Sequence, residues 1–321
     1  MALASAAAAG AIALGSVWAT LMRLGLVGLN TYSGQSIQPL IWAQAVGCLV
    51  MGWASQAHTK RALEAWHPAF VVLCTTGLAG SCTSFSSWVL QVYQAFSNDE
   101  HWDRHGLHSV MDALTQTGAT LGLGLAGLWA GQAIAEALPL DRVPLPAIPR
   151  SWVAAILTIA GALTWVGAAL LCGLYTSYRD VTFSVVLAPA GALLRWQLAR
   201  FNVPRRASEP QPLRQWRAWP WGTALANVLA TLLLAACVTL QRTRGHTRIA
   251  CDALQGVLDG FAGTLSTVST LMLELTAMRP MRTAFAYVFA SWATGVIVCL
   301  CLISIPTWTL SLPPTCPIVA S

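Results

Sequence analysis

Charge is scarce in this chain. Only 9% of its 321 residues are Asp, Glu, Lys or Arg, while 56% are hydrophobic. A soluble domain carries about 25% charged residues, so a water-soluble fold is excluded and an integral membrane protein is expected. Catalytic signatures are missing as well. There is no HExxH, no GxSxG, no Walker A run and no C-x-x-C. Asp259 and Glu274, inside the eighth apolar run, have no partner acid at catalytic spacing, so the chain is not expected to be an enzyme. His101, Asp103, His105 and His108 form a single histidine box where membrane di-iron enzymes need several, so metal binding there is not expected. The nine cysteines lie mostly inside apolar runs and are expected to pack as small side chains, forming neither a zinc site nor a disulfide framework.

What is abundant is long apolar runs. A membrane span needs about 20 apolar residues, and nine candidates are present: 6–29, 39–55, 69–93, 110–138, 153–175, 181–201, 221–240, 251–278 and 284–305. Residues 1–17 lack a basic leading stretch and read as the start of the first span, not as a cleaved signal. Residues 306–321 are expected to be an irregular tail.

Two of these runs carry the same interruption. Gly77-Leu78-Ala79-Gly80-Ser81-Cys82-Thr83-Ser84-Phe85-Ser86-Ser87-Trp88 aligns without a gap on Gly260-Phe261-Ala262-Gly263-Thr264-Leu265-Ser266-Thr267-Val268-Ser269-Thr270-Leu271. A glycine and hydroxyl run inside an apolar segment is the pattern of a broken membrane helix, whose freed carbonyls and hydroxyls can face an ion. The same offset of 183 carries Gln44 to Asn227 and Gln91 to Glu274, an offset of 172 carries Arg23 to Arg195, and one of 171 carries Gln116, Thr120 and Gly124 to Tyr287, Ser291 and Gly295.

The predicted organisation is therefore an N-terminal four-helix repeat (1–140), a linker helix (141–180), a C-terminal four-helix repeat (181–305) and a tail (306–321). The fold class is an all-α polytopic membrane protein of nine transmembrane helices, with the third helix of each repeat broken. One odd span between two four-span units inverts the second unit, which places a pseudo-two-fold axis in the membrane plane and a site near the midplane. Loop charge sets the orientation. Lys60, Arg61, Arg142, Arg150, Arg200, Arg205, Arg206, Arg214, Arg217, Arg279 and Arg282 lie on the side of the N-terminus, against Arg104, Arg179, Arg242, Arg244 and Arg248 opposite. The N-terminus is expected in the cytoplasm and the C-terminus outside.

Several residues stand out against this frame. Arg23 and Arg195 lie inside apolar runs, where an arginine is expensive; a structural place near the pore vestibule competes with snorkelling from a helix end. Asn227 and Gln44 lie mid-span, and an amide there either donates to an anion or joins helices. Phe85 and Trp88 can offer ring edges, which carry partial positive charge, to a small anion without the full cation that would trap it. Tyr287, Ser291 and Gly295 recur every four residues and share a helix face, as do Gln116, Thr120 and Gly124. Gly118, Gly122, Gly127 and Gly131 read instead as helix-packing positions.

These residues resemble the fluoride channel family, known as Fluc or CrcB in bacteria and FEX in eukaryotes. GFAGTLSTVSTLMLE, ending at Glu274, is similar to that family's third-helix pattern, and GLAGSCTSFSSWVLQ is similar through Phe85. Arg23 and Arg195 match its first-helix Arg. Asn227, with Ala230 for Gly, matches its second-helix Asn-x-x-Gly, and Tyr287, Ser291 and Gly295 match its fourth-helix Tyr-x-x-x-Ser-x-x-x-Gly. The two-repeat chain looks like the eukaryotic form. The resemblance implies a passive, selective fluoride channel of the plasma membrane, acting as a single-chain pseudo-dimer with no nucleic-acid partner. It would export the anion that forms when neutral HF enters and dissociates in the cytosol.

By resemblance the pore and fluoride residues are Phe85, Trp88, Asn227, Gln44, Tyr287, Ser291, Thr120, Ser269, Thr270 and Glu274. A structural sodium ion would be held at Gly80, Thr83, Gly263 and Ser266. Val268 and Leu271 stand where the second copy's rings should be, Gln44 replaces Asn and Gln91 replaces Glu, so one pore is expected to conduct and its partner to be degenerate. The alternative is a proton-coupled small-anion or multidrug exporter of dual-topology type. Those exporters rely on a Glu in the first helix of each unit, and no acid precedes Glu64.

Overall fold

The computed structural model describes residues 2–33, 35, 37–99, 102–143, 148–202, 219–243, 246–313 and 316–317. His101 and the basic residues Arg205, Arg206, Arg214, Arg217 and Arg244 lie outside these. Eight helical segments are long and apolar enough to cross a membrane: Ser5–Leu29, Pro68–Ser97, Gly106–Arg142, Arg150–Leu174, Thr176–Phe201, Trp221–Arg242, Arg248–Ala277 and Met281–Leu310. The remaining predicted span is the shorter apolar helix α2 (Ile41–Ser55). At 1.5 Å per residue it is about 22 Å long, less than the ~30 Å hydrocarbon core. It stops because the chain turns at Gln56, whose side chain caps the amphipathic α3 (Ala57–Trp66).

In chain order, α1 (Ala2–Leu29), α2 and α3 lead into a composite helix. That helix comprises α4 (Pro68–Val72), a π-helical stretch (Leu73–Ala79) and α5 (Gly80–Cys82). It breaks at Thr83 and Ser84, then resumes as α6 (Phe85–Ser97). The helices α7 (Gly106–Ala137), α8 (Arg150–Leu174) and α9 (Arg179–Leu198) follow, then α10 (Trp221–Arg242). The second composite helix repeats the first. It runs through α11 (Arg248–Gly256), a π-helical stretch (Val257–Ala262) and α12 (Gly263–Leu265), breaks, and continues as α13 (Ser269–Ala277). Helix α14 (Met281–Cys299) closes the repeat.

Small residues set the packing. A Cβ at Gly161 of α8 would run into the Gly10 carbonyl of α1, and one at Gly131 of α7 would run into the Leu49 carbonyl of α2. Gly127 likewise abuts Ala45, whereas Gly118 and Gly122, expected to pack, face open space. Helix α8 is also tied to α9 through the Trp165 indole N–H, which donates to the Val186 carbonyl at 2.8 Å.

Two expectations need correction. The tail is not irregular from residue 306. The last apolar helix continues through a π turn (Leu300–Ser304) into α15 (Ile305–Leu310). Pro306 has no N–H to donate to the preceding turn, and the Leu302 carbonyl there accepts from Thr239 Oγ1. The cysteines are not all packing residues either. Cys251, at the start of α11, and Cys316 form a disulfide with Cα atoms 6.2 Å apart. A separation of 65 residues gives no spacing signal. Alkylation without reductant is expected to label the exposed, free Cys301 and to spare Cys251 and Cys316 until the protein is reduced. Labelling of Cys251 in unreduced protein would rule the bond out.

Candidate functional site

The two broken helices cross at their breaks. Thr83 and Ser266 leave the helical ladder with extended torsions, φ −90°, ψ 151° and φ −88°, ψ 160°. Each hydroxyl then receives a backbone N–H of the other repeat: Ser269 N donates to Thr83 Oγ1 at 3.1 Å, and Ser86 N to Ser266 Oγ at 3.0 Å. Thr83 and Thr267 Oγ1 lie 3.2 Å apart, and Ser86 and Ser266 Oγ 2.9 Å. The hydroxyls that opened both helices thus satisfy the donors those openings freed.

The midspan amides hold the breaks from outside. Gln44 Nε2 donates to the Ser84 carbonyl at 2.8 Å and its Oε1 accepts from Ser84 N at 3.2 Å. Asn227 makes the equivalent pair with Thr267, at 3.4 and 2.8 Å. Gln44 is therefore the working counterpart of Asn227, one methylene longer.

The intramembrane arginines are the third brace. Arg23 donates to the carbonyls of Ser81, at 2.9 Å, and Asp259. Arg195 donates to those of Thr264 and Thr76, both at 2.8 Å. Both acceptor pairs are related by the offset of 183. The guanidinium of Arg195 covers Gly80, and a Cβ at Gly263 would stand 2.6 Å from Arg23 Nη2. Only glycine leaves room for these cations against the backbone.

Two helix clusters flank this centre. Helices α10 and α14 pack with α6 from the other repeat, and α2 and α7 pack with α13. The first cluster gathers Asn227, Tyr287, Ser291 and Phe85, a combination the sequence left open. Gly295 lies against Val89 and the Phe85 ring edge. Below it, Tyr287 Oη donates to Glu274 Oε2 at 3.0 Å and Thr223 Oγ1 to Oε1 at 2.6 Å. Above it, Tyr93 Oη and Ser304 Oγ lie 2.6 Å apart. Phe85 and Trp88 meet edge to face at 5.6 Å, both 1% exposed, and the Trp88 indole N–H is buried with no hydrogen-bond partner among the described residues.

The second cluster holds Gln44 and Thr120, and is poorer in polar groups. Gly124 faces Met272 and Cys48. Gln116 is spent on Asp112 Oδ1, at 3.0 Å, and on the Gln38 N–H, at 3.1 Å. Leu40 and Gln91 stand where the other cluster has Thr223 and Glu274, and Val268 and Leu271 are fully buried apolar side chains.

Of the remaining expected residues, Ser269 belongs to the crossing and Thr270 lines a cavity beside Arg195. His108 Nδ1 accepts from the His105 N–H and starts α7. Thr223, Tyr93 and Ser304 were missed. Thr223 lies one turn before Asn227 on the same face, a spacing that could have disclosed it.

The family model described as "CrcB-like protein, Camphor Resistance (CrcB)" matches this chain twice, over residues 10–132 and 182–303. Fluoride export protein 1 of Candida albicans is 33% identical over 310 residues, covering 89% of this chain and 75% of its own length. Fluoride export protein 1 of Schizosaccharomyces pombe is 31% identical over 303 residues, covering 91% and 94%. Fluoride-specific ion channel FluC 1 of Symbiobacterium thermophilum is 36% identical over 81 residues, covering 25% and 64%. No solved structure matches the chain.

Proposed function

Because this chain belongs to the CrcB-like family, whose model matches both of its halves, we propose that it is a passive fluoride channel that exports cytosolic fluoride down its electrochemical gradient. The observation that carries the mechanism is the cluster of α6, α10 and α14, where hydroxyls and aromatic edges line one face and Arg242, at the end of α10, is taken by Asp99 at 2.7 Å. Fluoride is small and strongly hydrated. It needs partial positive charges that replace water in succession, each weak enough to release it. Tyr287, Ser291, the Phe85 edge, the Trp88 indole N–H and the Tyr93–Ser304 hydroxyl pair supply such a series. Asn227, Gln44, Arg23 and Arg195 hold the breaks in shape, and Ser269, Thr270, Thr120 and Glu274 complete the polar lining. The second cluster is the degenerate pore.

In this reading the fold is nine spans in two inverted repeats joined by α8, in the plasma membrane, working as a single-chain pseudo-dimer. Two observations support a cytoplasmic N-terminus and an external C-terminus. Loop charge favours it, and the Cys251–Cys316 disulfide requires an oxidising compartment on the face of the C-terminus. Arg242, whose charge runs against the loop bias, is bound to Asp99 at 2.7 Å.

Gly80, Thr83, Gly263 and Ser266 would hold a sodium ion through backbone oxygens. The extended torsions of Thr83 and Ser266 turn those residues out of the helical ladders, and an all-oxygen donor set suits a hard cation. Such an ion would supply fixed positive charge at the crossing.

The test is efflux from liposomes containing the purified protein, with chloride as control and potassium with valinomycin to set the voltage. Rapid fluoride-selective efflux that needs valinomycin is the expected result. Efflux that follows a proton gradient instead would mean a coupled transporter, and folded protein that releases no fluoride would overturn the substrate.

A further inference from the structure

Two cavities approach the crossing, one from each face, and they are mates under the offset of 183. The first, about 500 Å³, is lined by Met51, Thr75, Thr76, Thr270 and Leu273. The second, about 410 Å³, is lined by Leu234, Leu258, Asp259, Ser87 and Leu90 at the matching positions. In the orientation proposed above, the first opens to the cytoplasm and the second to the outside.

Their floors differ in charge. Arg195, 6% exposed, itself lines the cytoplasmic cavity; Lys60, which lies 3.9 Å from Glu64, is also on its wall, and the slot beside the guanidinium holds Thr76. In the external cavity the mate of Thr76 is Asp259, which lines the wall while Arg23 is 2% exposed. The Asp259 carboxylate accepts from Gln255 Nε2 at 2.6 Å, and its own backbone carbonyl takes Arg23. The other charged residue on that wall, Arg242, is bound to Asp99. Glu274, further along the same composite helix as Asp259, is capped by Thr223 and Tyr287. The braces of the two repeats are alike; the charge they present to water is not.

We propose that Asp259 is a directional determinant of anion passage: its carboxylate at the floor of the external cavity, opposite the guanidinium of Arg195 at the floor of the cytoplasmic one, makes fluoride leave more readily than it enters. A fixed charge at the mouth of a narrow, low-dielectric cavity changes the local anion concentration. Carboxylate outside and guanidinium inside both favour outward passage. At zero driving force the net flux remains zero, so the effect is rectification of a passive current and requires no energy source.

This inference rests on the fluoride-channel reading, and its experiment separates the two. Currents are recorded in planar bilayers with equal sodium fluoride on both sides. Fluoride moving from the Arg195 face is expected to carry at least about threefold more current than fluoride moving from the Asp259 face at equal and opposite voltage. Asp259→Asn is expected to bring the ratio close to one, and Asp259→Glu to preserve it. Thr76→Asp, which places an acid in the mirror slot, is expected to cancel the bias from the other side and keeps the test open should the asparagine variant fail to fold. In Asp259→Cys, an impermeant anionic methanethiosulfonate restores the ratio and a cationic one inverts it; the side from which the reagent acts identifies the external face. An ohmic wild-type current, or rectification unchanged in both Asp259→Asn and Thr76→Asp, overturns the inference and leaves the channel standing. Absence of any wild-type fluoride current overturns the channel reading itself.

Discussion

Phe85→Ala slows voltage-driven fluoride efflux at least about tenfold, whereas Leu271→Ala leaves it within about twofold of the parent, if the cluster of α6, α10 and α14 is the conducting path. Phe85 is the ring whose edge faces Gly295, on the stripe that carries Tyr287 and Ser291. Removing it takes away both the partial positive edge that meets the anion and the contact that positions Trp88. Loss of an aromatic-edge interaction of about 1.5 kcal/mol is already a tenfold change in rate. Leu271 occupies the matching place of the Trp88 ring in the second repeat and has no edge to lose. The measurement is initial efflux rate per folded protein, with the elution profile as the control for assembly. Equal losses from the two variants, or no loss from either, would mean that both paths conduct or that the aromatic pair does not line the path.

Arg23→Met is expected to lower stability by about 2–6 kcal/mol, enough to remove much of a typical native margin of roughly 5–15 kcal/mol. The cost comes from the acceptors left behind. Without the guanidinium, the carbonyl of Ser81, beside the first break, and that of Asp259, in the second π-helical stretch, lose this donor. An unpaired buried acceptor costs about 1–3 kcal/mol. Arg195→Met should cost a similar amount, because it strips Thr264 and Thr76 in the same way. Arg23→Lys should recover half of the loss at most, since an ammonium cannot fork between two carbonyls on different helices. Thermal unfolding in detergent, followed by tryptophan fluorescence, reads all three. A midpoint for Arg23→Met within a degree or two of the parent would show that other donors reach those carbonyls.

The apolar helices, the two interruptions and the register between repeats were legible in the sequence. Apolar length, glycine and hydroxyl content and a constant offset are properties of the chain read in one dimension. Asn227 and Gln44 were legible as a pair for the same reason. Their work was not, because a clamp on the backbone of Thr267 or Ser84 depends on which helix lies opposite. The arginines show the same limit. Two cations in apolar runs announce a cost that must be met, but the carbonyls that meet it belong to both repeats.

The residues grouped along the candidate path could not be assembled from spacing. Phe85 comes from one repeat and Asn227, Tyr287 and Ser291 from the other, and only the crossing of the two broken helices brings them together. Thr223, Tyr93 and Ser304 were missed because a single hydroxyl in an apolar helix carries no signal until its partner is known. The Cys251–Cys316 bond and the continuation of the last helix to Leu310 were hidden likewise: the first joins segments 65 residues apart, and in the second Thr239 serves the Leu302 carbonyl, one turn before Pro306.

The sequence by itself determined that this protein lives in a membrane, that it is built twice, and where each copy breaks, because hydrophobic length and backbone-breaking residues act locally. Tertiary structure alone decided which half-sites face each other, which cations brace which carbonyls and which cavity shows an acid to water. Those outcomes are set by groups from 58 to 236 residues apart in the chain, brought within about 3 Å only when the two repeats interlock.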